Sequence, residues 1–140
     1  MKRKPTDELL KQLSETKKLD DYLKENKEFM LDSPLCERLN QLIKEKQCSK
    51  IEAIKGAELN EIYGYQIFSG KRIPSRDKLL CLAVGMKLSL EETQTLLKTA
   101  GFAPLYPKHE RDSILIFGIQ GKSTVPQINM MLYERNQQTI

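Results

Sequence analysis

Leucine, isoleucine and other apolar residues recur at intervals of three and four along most of the chain, which is the spacing of one face of an α-helix. The pattern predicts helices over residues 6–13, 19–30, 34–46, 49–57, 60–69, 75–84, 89–100, 109–119 and 124–132. One segment leaves an alternative open, because Ile114-Leu115-Ile116-Phe117 also has the composition of a short buried strand. Its length and its charged start at His109 favour a helix.

Residues that cap helices mark the ends of the predicted elements. Capping boxes, in which a hydroxyl residue is followed three positions later by Glu or Gln, occur at Ser49, Ser89 and Thr124. Glu58 and Leu59 form a short turn between the fourth and fifth predicted helices, with Leu59 as its buried apolar residue. Asn60 is a suitable N-cap for the fifth helix, and Gly70 can end that helix in the left-handed conformation.

The sequence contains neither alternating strand pairs nor an Asn-Gly hairpin, so the predicted fold class is all-α. We expect three parts: an N-terminal amphipathic helical extension (1–32), a central domain (33–101) and a C-terminal helical extension packed on that domain (102–140). Two interpretations of the N-terminal apolar residues stay open, since they would either cover the core or form a dimer seam. These residues are Leu9, Leu13, Tyr22, Leu23 and Phe29.

Composition narrows the classes of function. No apolar run approaches the ~20 residues that span a bilayer, and no apolar segment follows the basic N-terminus, so we expect a cytoplasmic, non-membrane protein. Cys36, Cys48 and Cys81 stand far apart, and the single His109 adds no metal-ligand spacing. Catalytic-nucleophile motifs and Gly-rich phosphate loops are also missing. We therefore expect no enzymatic activity, no metal and no cofactor.

The basic residues are unevenly placed. The net charge is +4, from 23 Lys and Arg against 19 Asp and Glu. Residues 71–100 carry six basic and three acidic residues, and the excess concentrates at Lys71, Arg72, Arg76 and Lys78. A basic patch beside a short helix is typical of a surface that contacts phosphates. The alternative is that these cations only stabilise the negative, C-terminal end of the helix dipole.

The stretch from Ser49 to Leu97 resembles the lambda-repressor-like, or Xre-type, helix-turn-helix family. The resemblance lies in the helix opened by Ser49-Lys50, the Ala53-Ile54 pair, the turn at Glu58-Leu59 and the segment Gly70-Lys71-Arg72-Ile73-Pro74-Ser75. It continues through Gly85-Met86-Lys87-Leu88-Ser89-Leu90-Glu91-Glu92. The resemblance implies a five-helix core over about residues 34–100 with additional helices at both ends.

The same resemblance implies a DNA-binding transcriptional regulator that inserts helix 60–69 into the major groove of double-stranded DNA. A homodimer is expected, because a single helix-turn-helix module reads a short site. The base-facing residues would be Asn60, Glu61, Ile62, Tyr65 and Gln66. Phosphate contacts would come from Ser49, Lys50 and Tyr63 and from the 71–76 loop through Lys71, Arg72 and Arg76.

An alternative function follows from the character of helix 60–69. Glu61 places a carboxylate where DNA phosphates would approach, and the helix contains no Arg for the commonest guanine contact. Gly64 also weakens the helix by about 1 kcal/mol relative to Ala unless close packing requires it. The alternative is a helix-turn-helix-like module that binds a protein partner, such as a kinase, without sequence-specific DNA binding.

Overall fold

The computed structural model describes residues 6–15, 18–25 and 34–140, and all regular secondary structure in these ranges is α-helical. The helices are α1 (Thr6–Glu15), α2 (Leu19–Glu25), α3 (Pro34–Glu45), α4 (Lys50–Gly56), α5 (Glu61–Ser69), α6 (Arg76–Gly85), α7 (Leu90–Thr99), α8 (Glu110–Gln120) and α9 (Val125–Glu134). The all-α prediction is confirmed for these ranges, and Ile114–Phe117 lies within α8. None of the helices in these ranges is both long and apolar enough to cross a membrane.

The chain divides into two compact units, Met1–Asp32 and Ser33–Ile140. In the first unit, α1 and α2 contact each other, and Tyr22 is buried while Leu10 and Leu19 are exposed. The predicted continuation of the second helix through Phe29 to Met30 lies outside the described residues. In the second unit, the 102–140 segment packs with the preceding helices, since α8 contacts α7 and α9 contacts α6.

The predicted helix caps are formed. Ser49, Ser89 and Thr124 each accept a hydrogen bond from the backbone N–H three residues on, and the side chain at that third position bonds back to the cap residue. The Ser75 hydroxyl oxygen caps α6 by accepting a hydrogen bond from the backbone N–H of Lys78, without a reciprocal side-chain bond. These local contacts satisfy backbone donors that have no partner inside the helix, which explains why the helix starts were readable from the sequence.

Every helix of the second unit contributes buried apolar side chains to its core. Most of these side chains are leucines and isoleucines, and Phe68 is the one buried phenylalanine. The largest fully buried side chains of the core are Leu39, Leu42, Ile54, Ile67, Phe68, Leu79, Leu80, Leu82, Leu88, Leu96, Leu97 and Leu115. Burying such side chains supplies most of the stabilisation, at about 1.5–3 kcal/mol each before the entropy of ordering is subtracted. Cys81 lies in this core as a free thiol, and burial raises its pKa to about 11.

Glycines allow α4 and α6 to approach each other closely. A Cβ on Gly85 would lie 2.5 Å from the carbonyl oxygen of Ala53, and a Cβ on Gly56 would lie 2.9 Å from the Cα of Gly85. Such distances are far inside van der Waals contact, so neither position has room for a side chain.

Two adjacent ion pairs fasten α8 to the start of α6. The Arg76 guanidinium donates to both carboxylate oxygens of Asp112 at 3.3 and 3.2 Å, and Arg111 donates to both oxygens of Asp77 at 3.0 Å. The pairing is reciprocal, since each helix contributes one cation and one anion. It shows why the C-terminal segment belongs to the same compact unit as the central helices.

A charged pair also joins α3 to α7. Lys46 Nζ lies 2.7 Å from Glu92 Oε1. Partial burial by itself would raise the pKa of Glu92, but the hydrogen bonds from Lys46 and Ser89 together with the Lys46 charge outweigh that effect and lower the pKa.

Candidate nucleic-acid interface

A short connection separates α4 from α5 and reverses the chain between them. Ala57 closes α4, Glu58 adopts a left-handed backbone with φ of 58°, and Asn60 caps α5 by accepting a hydrogen bond from the backbone N–H of Tyr63. Leu59 is half-buried and packs against the core, close to the predicted role of a buried turn residue. The turn predicted at Glu58 and Leu59 is therefore present.

Gly64 explains how closely α5 lies on α4. A Cβ at this position would fall 2.5, 2.6 and 2.8 Å from the Cγ1, Cγ2 and Cδ1 atoms of Ile54, which is fully buried. The glycine that weakens α5 locally is thus required by the contact between the two helices. Because Gly64 has no side chain, α5 can pack directly against the Ile54 side chain of α4.

Polar side chains of α3 form hydrogen bonds with the C-terminal end of α5. Asn40 Nδ2 donates to the carbonyl oxygen of Phe68 at 2.9 Å, and the Cys36 thiol donates to the same oxygen at 3.1 Å. That carbonyl belongs to the last turn of α5, where no backbone donor of the helix reaches it. With Gly64 near the middle and Asn40 near the end, α5 is positioned from two sides.

One face of α5 is buried and the other is exposed. Ile67 and Phe68 are buried in the core, and Tyr63 packs against it. On the other face Glu61 is exposed, Ile62 is 71% exposed and Tyr65 is 41% exposed. Tyr63 and Tyr65 point in different directions, as their two-residue spacing in a helix requires. Gln66 is half-buried.

The basic loop is anchored on the C-terminus of α5. Gly70 takes φ of 85° and turns the chain, and the carbonyl oxygen of Gln66 accepts hydrogen bonds from the backbone N–H groups of Lys71 at 2.9 Å and Arg72 at 3.2 Å. Both basic side chains are exposed, and neither makes an ion pair or a hydrogen bond within the described part of the chain. Ile73, which follows them, is 78% exposed.

A third exposed cation lies at the start of α4. Lys50 follows the N-cap residue Ser49, and it too makes no ion pair within the described residues. The Ser49 hydroxyl oxygen accepts from the backbone N–H of Glu52 at 3.1 Å, which leaves its proton able to reach a phosphate.

Two of the expected site residues have other partners in the structure. Arg76 was expected to contact phosphate, but its guanidinium donates to Asp112 and to the carbonyl oxygens of Ala103 and Pro104. Because every one of those acceptors lies in the C-terminal segment, Arg76 serves the packing of that segment. Asn60, which was expected to face bases, is exposed, and its Oδ1 accepts the capping hydrogen bond from the backbone N–H of Tyr63 at 3.1 Å. In a two-bond pair with adenine the same oxygen would accept a second hydrogen bond.

Sequence reasoning missed several residues that shape this surface. Asn40 and Asp112 showed no local signal, because their partners lie 28 and 36 residues away in the chain. The exposure of Ile73 had a weak signal, since it stands between Arg72 and a proline in a segment without helical periodicity. Comparisons with protein-family models, with curated proteins and with solved structures give no match for this chain.

Proposed function

We propose that the protein is a non-enzymatic, cytoplasmic DNA-binding regulator of the lambda-repressor-like (Xre) type. In this proposal α3–α7 form the five-helix core, α4 and α5 form the helix-turn-helix, and α5 enters the major groove. The observation that carries the proposal is that an exposed face of α5 has unpaired, exposed cations on both sides of it along the chain. These are Lys50 at the start of α4 and Lys71 and Arg72 directly after α5.

The packing of α5 supports the proposal. A helix that reads bases must hold a fixed angle to the rest of the domain, because its side chains have to meet base edges in register. Gly64 against Ile54 and Asn40 against the Phe68 carbonyl provide that rigidity. The backbone hydrogen bonds to Gln66 likewise hold Lys71 and Arg72 at the end of the helix, where phosphates flank a groove.

Affinity for duplex DNA as a function of salt tests the proposal. The logarithm of affinity should fall linearly with the logarithm of salt concentration, with a slope of about −0.9 for each phosphate contact. Replacing Lys71 and Arg72 together by alanine should reduce that slope by about 2 and weaken binding to all sequences alike. Fluorescence anisotropy with a labelled duplex measures both quantities.

Two control variants separate specific contacts from net charge. Lys98→Ala combined with Lys108→Ala removes the same charge from exposed positions outside α5 and its loop, so the slope should stay close to that of the parent. Arg76→Ala should also leave the slope unchanged, because Arg76 is bound to Asp112. A duplex affinity that is undetectable at low salt, or equal losses in all three variants, would contradict the proposal.

We also propose that the DNA-bound form is a homodimer, since two-fold related helices about 34 Å apart read successive half-sites on one side of the duplex. Sedimentation of the complex with a selected duplex gives the stoichiometry. Two chains per duplex, with half-sites spaced by about one helical turn, are expected. One chain per duplex with a single unrepeated site would contradict the dimer and leave DNA binding intact.

A protein-binding function is the second candidate, and the exposed apolar side chains favour it. Ile62, Tyr65 and Ile73 are exposed on α5 and its loop, and aromatic and aliphatic residues of this kind are common at the centre of protein interfaces. The test is affinity capture from the native host with the parent chain and with an Ile62→Asp, Tyr65→Ala variant. A partner lost only in the variant, together with absent duplex binding, would favour this candidate over DNA.

A further inference from the structure

The exposed face of α5 contains few of the groups that usually read bases. The helix Glu61–Ser69 has neither Arg nor Lys, which are the usual partners of guanine O6 and N7. An ionised Glu61 has only acceptor oxygens, so it would be repelled by the acceptor atoms O6 and N7 of guanine. The side chains of α5 therefore lack the usual two-bond partner of guanine.

The amide side chains near α5 are also restricted. Asn60 uses Oδ1 to cap the helix, so the orientation of its amide is set by the cap, and a pair with adenine would have to use the second lone pair of that oxygen. Gln66 is half-buried, and its own backbone carbonyl holds the following loop. Both amides near α5 are thus constrained, Asn60 by the cap and Gln66 by partial burial.

Two large, exposed side chains with apolar surface also lie on this face. Ile62 and Tyr65 are separated by three residues and lie on the same side of the helix, and both are exposed. The major groove presents one apolar group, the C5 methyl of thymine, and apolar side chains contact it. Building on the proposed function, we infer that Ile62 and Tyr65 make α5 a reader of thymine methyl groups, so that the half-site is defined by thymines in A·T pairs.

The size of the effect follows from the area of one methyl group. Burying a single methyl or methylene group changes an equilibrium by about fourfold, since each contributes ~0.8 kcal/mol. Two contacted thymines per half-site would therefore give about a sixteenfold preference over the same site without methyls. A preference of this size is easily measured, and it is insensitive to the phosphate contacts that determine the salt slope.

The experiment begins with selection of preferred duplexes from a random pool with the full chain. We expect thymine to be enriched at two or more positions of each half-site. Each enriched thymine is then replaced singly by deoxyuridine, which removes the methyl and keeps base pairing and every hydrogen-bonding atom of the groove. The parent chain should lose about fourfold in affinity at each contacted position.

Matched variants assign the contacts. Ile62→Ala should bind the selected duplex several-fold more weakly and should no longer distinguish thymine from deoxyuridine at one position, and Tyr65→Ala should do the same at another. Phe117→Ser removes an exposed apolar side chain from α8 and should leave both responses unchanged. Far-UV circular dichroism establishes that each variant is folded.

The outcomes separate this inference from the proposal on which it rests. Salt-dependent duplex binding without thymine enrichment, or with affinities that ignore deoxyuridine, overturns thymine-methyl reading and leaves DNA binding standing. Loss of affinity on deoxyuridine substitution at the same thymine in the parent, in Ile62→Ala and in Tyr65→Ala also overturns it, because neither side chain then contacts that methyl group. Undetectable binding to every duplex at low salt overturns DNA binding itself, and the inference with it.

Discussion

The substitution Gly64→Ala tests the arrangement of α4 and α5 on which the candidate interface depends. In an open helix this change stabilises by about 1 kcal/mol, because alanine has the higher helix propensity. Here the new Cβ would lie 2.5–2.8 Å from three carbons of Ile54, in a core position with no solvent-accessible space. Overpacking of a filled core costs about 1–3 kcal/mol, and three simultaneous overlaps place this case near the upper value.

The net expectation is a loss of about 2 kcal/mol in the free energy of unfolding. For a unit of this size that corresponds to a drop of about 8 °C in Tm. Urea denaturation followed by circular dichroism measures the free energy directly, and the native helical signal should persist before the transition. The variant should also bind DNA more weakly, because α5 must move away from α4 to accommodate the methyl group.

A double-mutant cycle with Ile54→Ala gives the sharper result. The single change Ile54→Ala should cost about 2–5 kcal/mol through the cavity that it leaves. In that background the overlap is gone, so Gly64→Ala should become stabilising by about 1 kcal/mol. The sign of the Gly64→Ala effect should therefore reverse between the two backgrounds. Equal effects in both, or a stabilised Gly64→Ala single variant, would refute the close contact between α4 and α5.

Three further predictions concern ion pairs and thiols of the second unit. Arg76→Ala should lower the free energy of unfolding by about 2 kcal/mol, because it leaves the buried Asp112 with only the backbone N–H of Tyr106 as a donor. Urea denaturation measures the loss, and an unchanged midpoint would contradict the prediction. Because the pKa of Glu92 is lower in the folded than in the unfolded chain, the ionised carboxylate contributes to the free energy of unfolding above about pH 4.5. This contribution is lost as the pH falls through the pKa of Glu92 in the folded state. Stability measured from pH 6 to pH 3 should therefore decline less in Lys46→Met than in the parent, by an amount under about 1 kcal/mol since both groups are partly exposed. Cys81, with its pKa raised from 9.0 to about 11, should have a thiolate fraction at pH 8 about 100-fold lower in the native than in the unfolded chain, so mass spectrometry after brief iodoacetamide treatment should find it alkylated only in urea.

The sequence by itself determined the helices and their ends. The capping boxes at Ser49, Ser89 and Thr124 and the left-handed Gly70 act through hydrogen bonds between residues no more than a few positions apart. Contacts of that range depend only on neighbouring residues, which is why the predicted and observed boundaries of α3 to α9 agree within about one turn of helix. Tyr63 and Tyr65 point in different directions for an equally local reason, because residues two positions apart in a helix do not share a face.

Only the tertiary structure decided which of the candidate side chains are available to a ligand. Arg76 and Lys71 look alike in the sequence, yet Arg76 is held by Asp112, 36 residues away, while Lys71 is exposed. From the sequence, Gly64 is expected only to weaken α5, whereas in the structure it makes room for the Ile54 side chain. The physical reason is common to all three positions. Pairing and packing partners come from distant segments, and one sequence does not reveal which distant segments meet.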